Sequence, residues 1–250
     1  MKSSTLTLKL DALIPNTEYI KKILKFGMPA AISQAFASFG FLIINSVTSD
    51  LQNGLGDIGY SILAPISIGG RINSILLLPV MGIGTVLATF VGQNVGAKNK
   101  DRARRAFISA IILSLMFTII GGLIIYPFRE NIIKIFLQNP VEIDICMLYI
   151  NYLIFGLPLM GVFQCFVGCF QGAGRTDLSL YLSTIRLWVL RIPVLLAMVY
   201  ILNFNYQAVW LCMVISNFGA AILGLIFYRL VDFEPRISNI KKKINQELKV

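Results

Sequence analysis

Charge is missing from most of this chain, and where it is missing limits what the chain can become. Phe26 to Ser49 runs 24 residues without an Asp, Glu, Lys or Arg, Ile72 to Ala97 runs 26, and Ala106 to Phe128 runs 23. Ile145 to Gly174 gives 30 more, and Ile192 to Tyr228 gives 37. A helix needs about 20 predominantly apolar residues to cross a bilayer, so most of these runs hold one span. The longest is broken by Asn203-Phe204-Asn205-Tyr206-Gln207, a polar stretch that reads as a turn between two spans. Six helices follow, near 23–47, 59–92, 104–127, 145–171, 178–202 and 207–230. The second exceeds one straight span, and Pro79 and Gly82 are where it is expected to bend. The predicted fold class is all-α: a polytopic membrane protein with six transmembrane helices. Composition points the same way, with 56% of the 250 residues hydrophobic and 14% charged. The mean hydropathy of +0.76 is more apolar surface than one soluble core of this length hides.

The net charge of +10 would by itself point to nucleic acid or an anionic surface, so its placement matters. Seventeen Lys and Arg fall in the amino-terminal segment, the loop around Lys98–Arg105, the turn at Arg175 and the tail; two, Arg129 and Lys134, fall on the opposite side. By the positive-inside rule both termini are cytoplasmic, as an even number of spans requires. The basic charge is therefore topology, and no nucleic acid partner is expected. Residues 1–22 read as a cytoplasmic linker, 23–230 as the membrane lobe and 231–250 as a basic cytoplasmic tail. Met1 to Thr17 contains Asp11 and Pro15 and has no continuous apolar core, so it is not read as a signal peptide.

Within the spans, Gly84, Ala88, Gly92 and Gly96 recur every four residues, a pattern that lets helices approach closely. Gly172-Ala173-Gly174-Arg175-Thr176 lacks the lysine of a phosphate loop and follows an apolar helix, so it reads as a tight turn. Cys146, Cys165, Cys169 and Cys212 have no His or acid beside them in the spans and read as small buried residues, with no metal site. Polar groups inside the membrane are more telling, because each is expensive there. Gln34, Asn45, Arg71, Asn73, Asn151, Gln164, Arg186, Arg191 and Asn217 are the ones present. Gln34, Arg71, Asn73 and Gln164 are candidates for a substrate cavity, against the plainer reading of bonding between helices. Pro29, Pro79, Gly82, Pro158, Arg191 and Pro193 are candidates for hinges or structural breaks. None of the twelve carboxylates falls in a span, and the chain has no histidine, so a proton relay or cation site has no obvious acid here.

Several motifs stand in order: Gly27-Met28-Pro29-Ala30-Ala31, Arg71-Ile72 with Leu78-Pro79 and Met81-Gly82, and Phe90-Val91-Gly92-Gln93-Asn94-Val95-Gly96-Ala97. Arg102-Ala103-Arg104-Arg105, Gln171-Gly172-Ala173-Gly174-Arg175-Thr176, Leu187 to Pro193, and Ala208-Val209-Trp210 before Ile215-Ser216-Asn217 complete the series. Together they resemble the carboxyl-terminal half of the bacterial MATE (multidrug and toxic compound extrusion) transporters, from about Ile20 to Tyr228. The resemblance implies one lobe of a twelve-helix, two-lobe antiporter in the bacterial plasma membrane. Such an antiporter exports small organic, often cationic, drugs in exchange for sodium ions or protons and needs no cofactor. It also implies a partner, either a complementary amino-terminal lobe or a second copy. Some family members carry acids on the first and fourth helices of this lobe. Here those helices offer Gln34, Gly161 and Gln164, so the cation site does not carry over, and the coupling ion is expected in the absent lobe. A lipid-linked oligosaccharide flippase of the same superfamily and a truncated, non-transporting membrane subunit remain alternatives.

Overall fold

The computed structural model describes residues 17–54 and 61–231. The expected linker up to residue 16 and the basic tail beyond residue 231 lie outside the described residues. All regular structure among the described residues is helical, as hydrocarbon requires of an open chain that must satisfy its own backbone. The helices are α1 (Thr17–Gly54), α2 (Leu63–Gly96), α3 (Lys100–Lys134) and α4 (Pro140–Gly172), followed by a composite fifth span and α7 (Gln207–Arg229). The fifth span starts as α5 (Thr176–Thr184) and passes through a π-helical stretch, Ile185–Arg191. It continues through α6 (Ile192–Leu196) and ends in a second π stretch, Ala197–Ile201. Six helices are long and apolar enough to cross a membrane. They run longer than the neutral runs indicate: α1 is already helical at Thr17, and α3 continues through Arg129 to Lys134. Charged residues at a span's end extend the helix into the interface without entering hydrocarbon.

Helix ends are closed locally. Asn99 and Asn139 cap α3 and α4, their side-chain oxygens accepting from Arg102 N (3.1 Å) and Val141 N (3.0 Å), the usual service of Asn at an N-cap. Gly172 to Thr176 forms a tight turn with Gly174 at φ +72°, a conformation open to glycine. Arg175 pairs across it with Asp177 at 3.2 Å. The start of α2 is closed by other helices: Ile62 N donates to Gln52 Oε1 on α1 (2.5 Å) and Ser61 N to Glu142 Oε1 on α4 (2.8 Å). A carboxylate there also suits the positive end of the helix dipole.

α4 is the hub, packed against α2, α3 and α7. In its most apolar stretch 56% of the residues are buried, against 22% for α2 and for α3. α2 runs parallel to α4 in a register that holds from end to end. Ser61 meets Glu142, Cys146 Sγ lies 3.6 Å from the Pro65 carbonyl, Gly69 faces the Tyr149 ring, Gly84 faces Gln164 and Gly92 faces Gly172. In these five pairs the partner numbers differ by 80 or 81. Glycine makes this seam: a Cβ on Gly168 would fall on the Gly84 carbonyl, and one on Gly172 on the Ala88 carbonyl. Three of the four small residues on α2 are thus seam residues, while Gly96 has open space. All four cysteines are buried free thiols. α1 leans on the fifth span and only lightly on α2. Trp188 Nε1 donates to the Phe36 carbonyl (3.1 Å), and the two aromatic rings meet edge to face at 5.9 Å.

Candidate functional site

Exposed side chains on a span face either lipid or something wet, and in this bundle they sort by helix. Between its ends α3 exposes Ile112, Met116, Phe117, Ile120, Leu123 and Ile124, a surface made for hydrocarbon. α2 exposes Ser67, Arg71, Ser74, Gly82, Thr85, Thr89 and Gln93. With Leu78 among them, these residues wind as one stripe along a helix of 3.6 residues per turn. α1 exposes Gln34, Ser38 and Asn45, again on one face. Beside the α2 stripe stand Ile75, Met81, Val86 and Phe90, exposed and apolar, and between Ser74 and Thr85 the exposed residues carry no polar side chain. One helix therefore carries a lipid face and a polar face side by side.

The hydroxyls of these stripes are turned to their own helices. Ser74 Oγ donates to the Gly70 carbonyl (2.9 Å), Thr85 Oγ1 to Met81 (3.0 Å) and Ser38 Oγ to Gln34 (3.1 Å). Each oxygen keeps lone pairs outward, while its proton is spent on the backbone. Arg71 has no hydrogen-bond or ion-pair partner among the described residues. A charge within a span is costly against lipid unless it reaches the interface, so a stripe holding one is better placed against water or protein than against lipid.

The four cavity candidates do not meet at one point. Gln34 and Arg71 lie on the exposed polar faces of α1 and α2. Asn73 is two residues past Arg71, about 200° around the helix, and is half-buried. Gln164 is half-buried at the α2–α4 seam, its carbonyl opposite Gly84. Arg71 precedes Gly84 by 13 residues, about 20 Å along the axis. Ser67, Ser74, Thr85, Thr89 and Gln93 were not singled out from sequence, although their 3.6-residue period was legible there. Of the hinge candidates, Pro79 and Gly82 are exposed within a continuous α2, and Pro158 is half-buried within α4. Each proline withdraws one N–H from its helix and frees the carbonyl four residues back, Ile75 or Ile154. Pro193 stands in the first turn of α6, two residues past the first π stretch. Pro29 lies within α1, but its side chain falls outside the described residues.

Behind these faces lies a polar cluster with no acid in it. Arg186 Nη1 donates to Asn217 Oδ1 at 3.1 Å and to Met160 Sδ at 3.0 Å, and the guanidinium sits 4.1 Å over the Phe163 ring. Asn217 Nδ2 reaches the Gly156 carbonyl at 3.5 Å, while Arg186 Nε is buried without a partner. Arg191 is buried, its guanidinium 5.9 Å from the Phe41 ring. Both arginines belong to the π stretch Ile185–Arg191. Its i→i+5 bonding draws residues five apart closer to one face than an α-helix does. Hydropathy gives no sign of that switch. This cluster ties the fifth span to α4 and α7 by charge-assisted bonding and cation–π contact.

A model of the MatE family matches residues 29–196. The probable multidrug resistance protein NorM of Thermotoga maritima is 27% identical over 252 residues, covering 98% of this chain and 51% of that protein. The FAD transporter of Shewanella oneidensis is 26% identical over 176 residues, covering 69% of this chain and 36% of that protein. Among solved structures, an outward-facing multidrug resistance MATE transporter of the MOP superfamily superposes with a TM-score of 0.79. It is 25% identical, with 94% of this chain and 50% of that one covered. The chain thus spans about half the length of these full-length transporters.

Proposed function

The chain belongs to the MatE family of membrane transporters, and on that premise we propose that it is the carboxyl-terminal lobe of a secondary active exporter of drugs or other xenobiotics. The observation that carries this reading is the pair of exposed polar stripes on α1 and α2. A six-helix bundle surrounded only by lipid has no use for them. A lobe that closes a wet cavity against a second body does, and rocking of two such bodies gives alternating access. Gln34 and Arg71 stand on this cavity wall, while Asn73 and Gln164 support it from the helix seams. Pro79 and Pro158, with their freed carbonyls, are where α2 and α4 flex. The second body is an amino-terminal lobe or another copy of the chain. Both termini lie in the cytoplasm of a bacterial cell, and the lobe sits in the plasma membrane.

Exchange against sodium ions or protons supplies the energy. The coupling residue belongs to the complementary lobe, because no acid stands in the long neutral runs of this one and its carboxylates lie toward the helix ends. Expression of the chain with a complementary lobe, followed by loading with a panel of cationic and anionic dyes, tests the whole reading. Efflux of at least one dye is expected, dependent on a sodium or proton gradient and absent when either lobe is expressed alone. Retention of every dye with both lobes present in the membrane would overturn it.

A further inference from the structure

The charges this lobe presents inside the membrane are all of one sign. Arg71, Arg186 and Arg191 stand within spans, and the five neutral runs around them hold no Asp or Glu. Arg186 is held by an amide, a thioether and an aromatic ring, and Arg191 lies by Phe41. Neither has an acid to neutralise it. Positive potential from such unpaired groups reaches further in a low-dielectric wall than in water.

Arg71 brings that charge to the surface. It is exposed on the polar stripe of α2 and has no partner among the described residues. Glu142, the acid that reaches α2, is engaged at Ser61, ten residues and about 15 Å along the helix from Arg71. An arginine serving only as an interfacial anchor would need no particular face. This one shares its face with Ser67, Ser74, Thr85 and Thr89, and the stripe continues past it to the other end of the span. The hydroxyl of Ser74, about one turn away, has given its proton to the backbone, as has that of Thr85, 14 residues and about 21 Å further along the helix. The guanidinium is therefore the strong outward donor of the stripe, and its planar fork matches a carboxylate or phosphate.

We propose that the exposed face of α2 recognises an organic anion, with Arg71 binding its carboxylate or phosphate group. The proposal rests on the transport reading above and adds the sign of the substrate. A cationic substrate would meet three like charges here and find no carboxylate on the exposed stripe of α2.

The full chain in phosphatidylcholine nanodiscs, titrated with carboxyfluorescein and with rhodamine 6G and corrected for empty discs, tests this by fluorescence anisotropy. The anionic dye is expected to bind at least about tenfold more tightly than the cationic one, the scale of a single close charge pair. Arg71→Gln should remove that preference, and Arg71→Lys should keep most of it. Both variants should melt like the parent chain, because Arg71 is exposed. Discs containing phosphatidylglycerol then identify the source of the anion. Competition with carboxyfluorescein would mark a lipid headgroup as the occupant, and unchanged dye binding would mark a soluble anion; either supports the proposal. Tighter binding of rhodamine 6G, or carboxyfluorescein binding unaffected by Arg71→Gln, would overturn the charge assignment and leave the transport reading standing. Binding of neither dye would overturn the charge assignment and remove support from the transport reading as well.

Discussion

α2 and α3 lean on the same hub helix, are 34 and 35 residues long, and each have 22% of their most apolar stretch buried. Their exposed faces nevertheless have opposite chemistry. α3 shows lipid a continuous surface of Ile, Leu, Met and Phe. α2 shows a strip of hydroxyls, an amide and a guanidinium beside a narrower apolar band. Equal exposure therefore does not mean equal surroundings. On the function proposed above, the difference marks which side of the bundle meets hydrocarbon and which side meets the second body.

The two helices also attach to α4 differently, and this gives the largest expected effect. A Cβ on Gly168 falls on the backbone of Gly84 in α2, whereas one on Gly161 meets the Ser114 hydroxyl and Thr118 methyl of α3. Backbone cannot step aside and a side chain can. Gly168→Leu should abolish a folded chain, and Gly168→Ala should cost about 3 kcal/mol, the upper end of overpacking penalties. Gly161→Ala should cost about 1 kcal/mol. Thermal melts in detergent give the ranking, and equal losses at the two glycines would show that both seams yield alike.

A charge placed on each face tests the assignment of lipid and water directly. Phe117→Lys on α3 should lose membrane-inserted protein in proportion to roughly 2.5–3.5 kcal/mol, whereas Thr89→Lys on α2 should insert close to normally. Quantitative membrane fractionation reads both, and a matching deficit in Thr89→Lys would put the α2 stripe against lipid. Behind the stripe, Asn217→Ala removes the oxygen that accepts from Arg186. It should lower stability by about 1.5–3 kcal/mol, as expected for a bond to a charged group. An unchanged melt would mean that Met160 and Phe163 hold Arg186 unaided. The smallest change is Thr85→Val, which keeps shape and loses only a hydroxyl bonded to its own helix. Its melt should stay within about 0.5 kcal/mol of the parent chain, and a larger drop would reveal an outside partner for that hydroxyl.

Much of the fold was legible in the residues. Neutral runs of 23 to 37 residues announced the spans because hydrocarbon penalises charge wherever it falls. Gly172 to Thr176 announced a turn, whereas Asn99 and Asn139, which cap α3 and α4, were not singled out from the residues. The fifth span is the exception: its π turns at Ile185–Arg191 leave hydropathy untouched, so nothing in the residues announced that Arg186 and Arg191 both turn inward. Gln34 and Arg71 were legible as unusual. Their separation from Asn73 and Gln164 was not, because it depends on helix rotation and on a register that matches Gly84 with Gln164.

Sequence by itself determined the all-α membrane class, the number of spans, the lopsided basic charge and the long runs free of acids. Each of these is a property of residues one at a time or in short runs. Tertiary structure decided which face of each helix is inside. α2 carries two periodic stripes, Gly84-Ala88-Gly92 and Ser67-Arg71-Ser74 with Thr85 and Thr89; the small residues of the first suited it to a close approach, but said neither to which helix nor in what register. In water the apolar side would settle the matter, but lipid is as apolar as a protein core, so burial in a membrane follows close packing instead. Only the fit of Gly84 and Gly92 against Gln164, Gly168 and Gly172 turned the first stripe inward and left the arginine facing out.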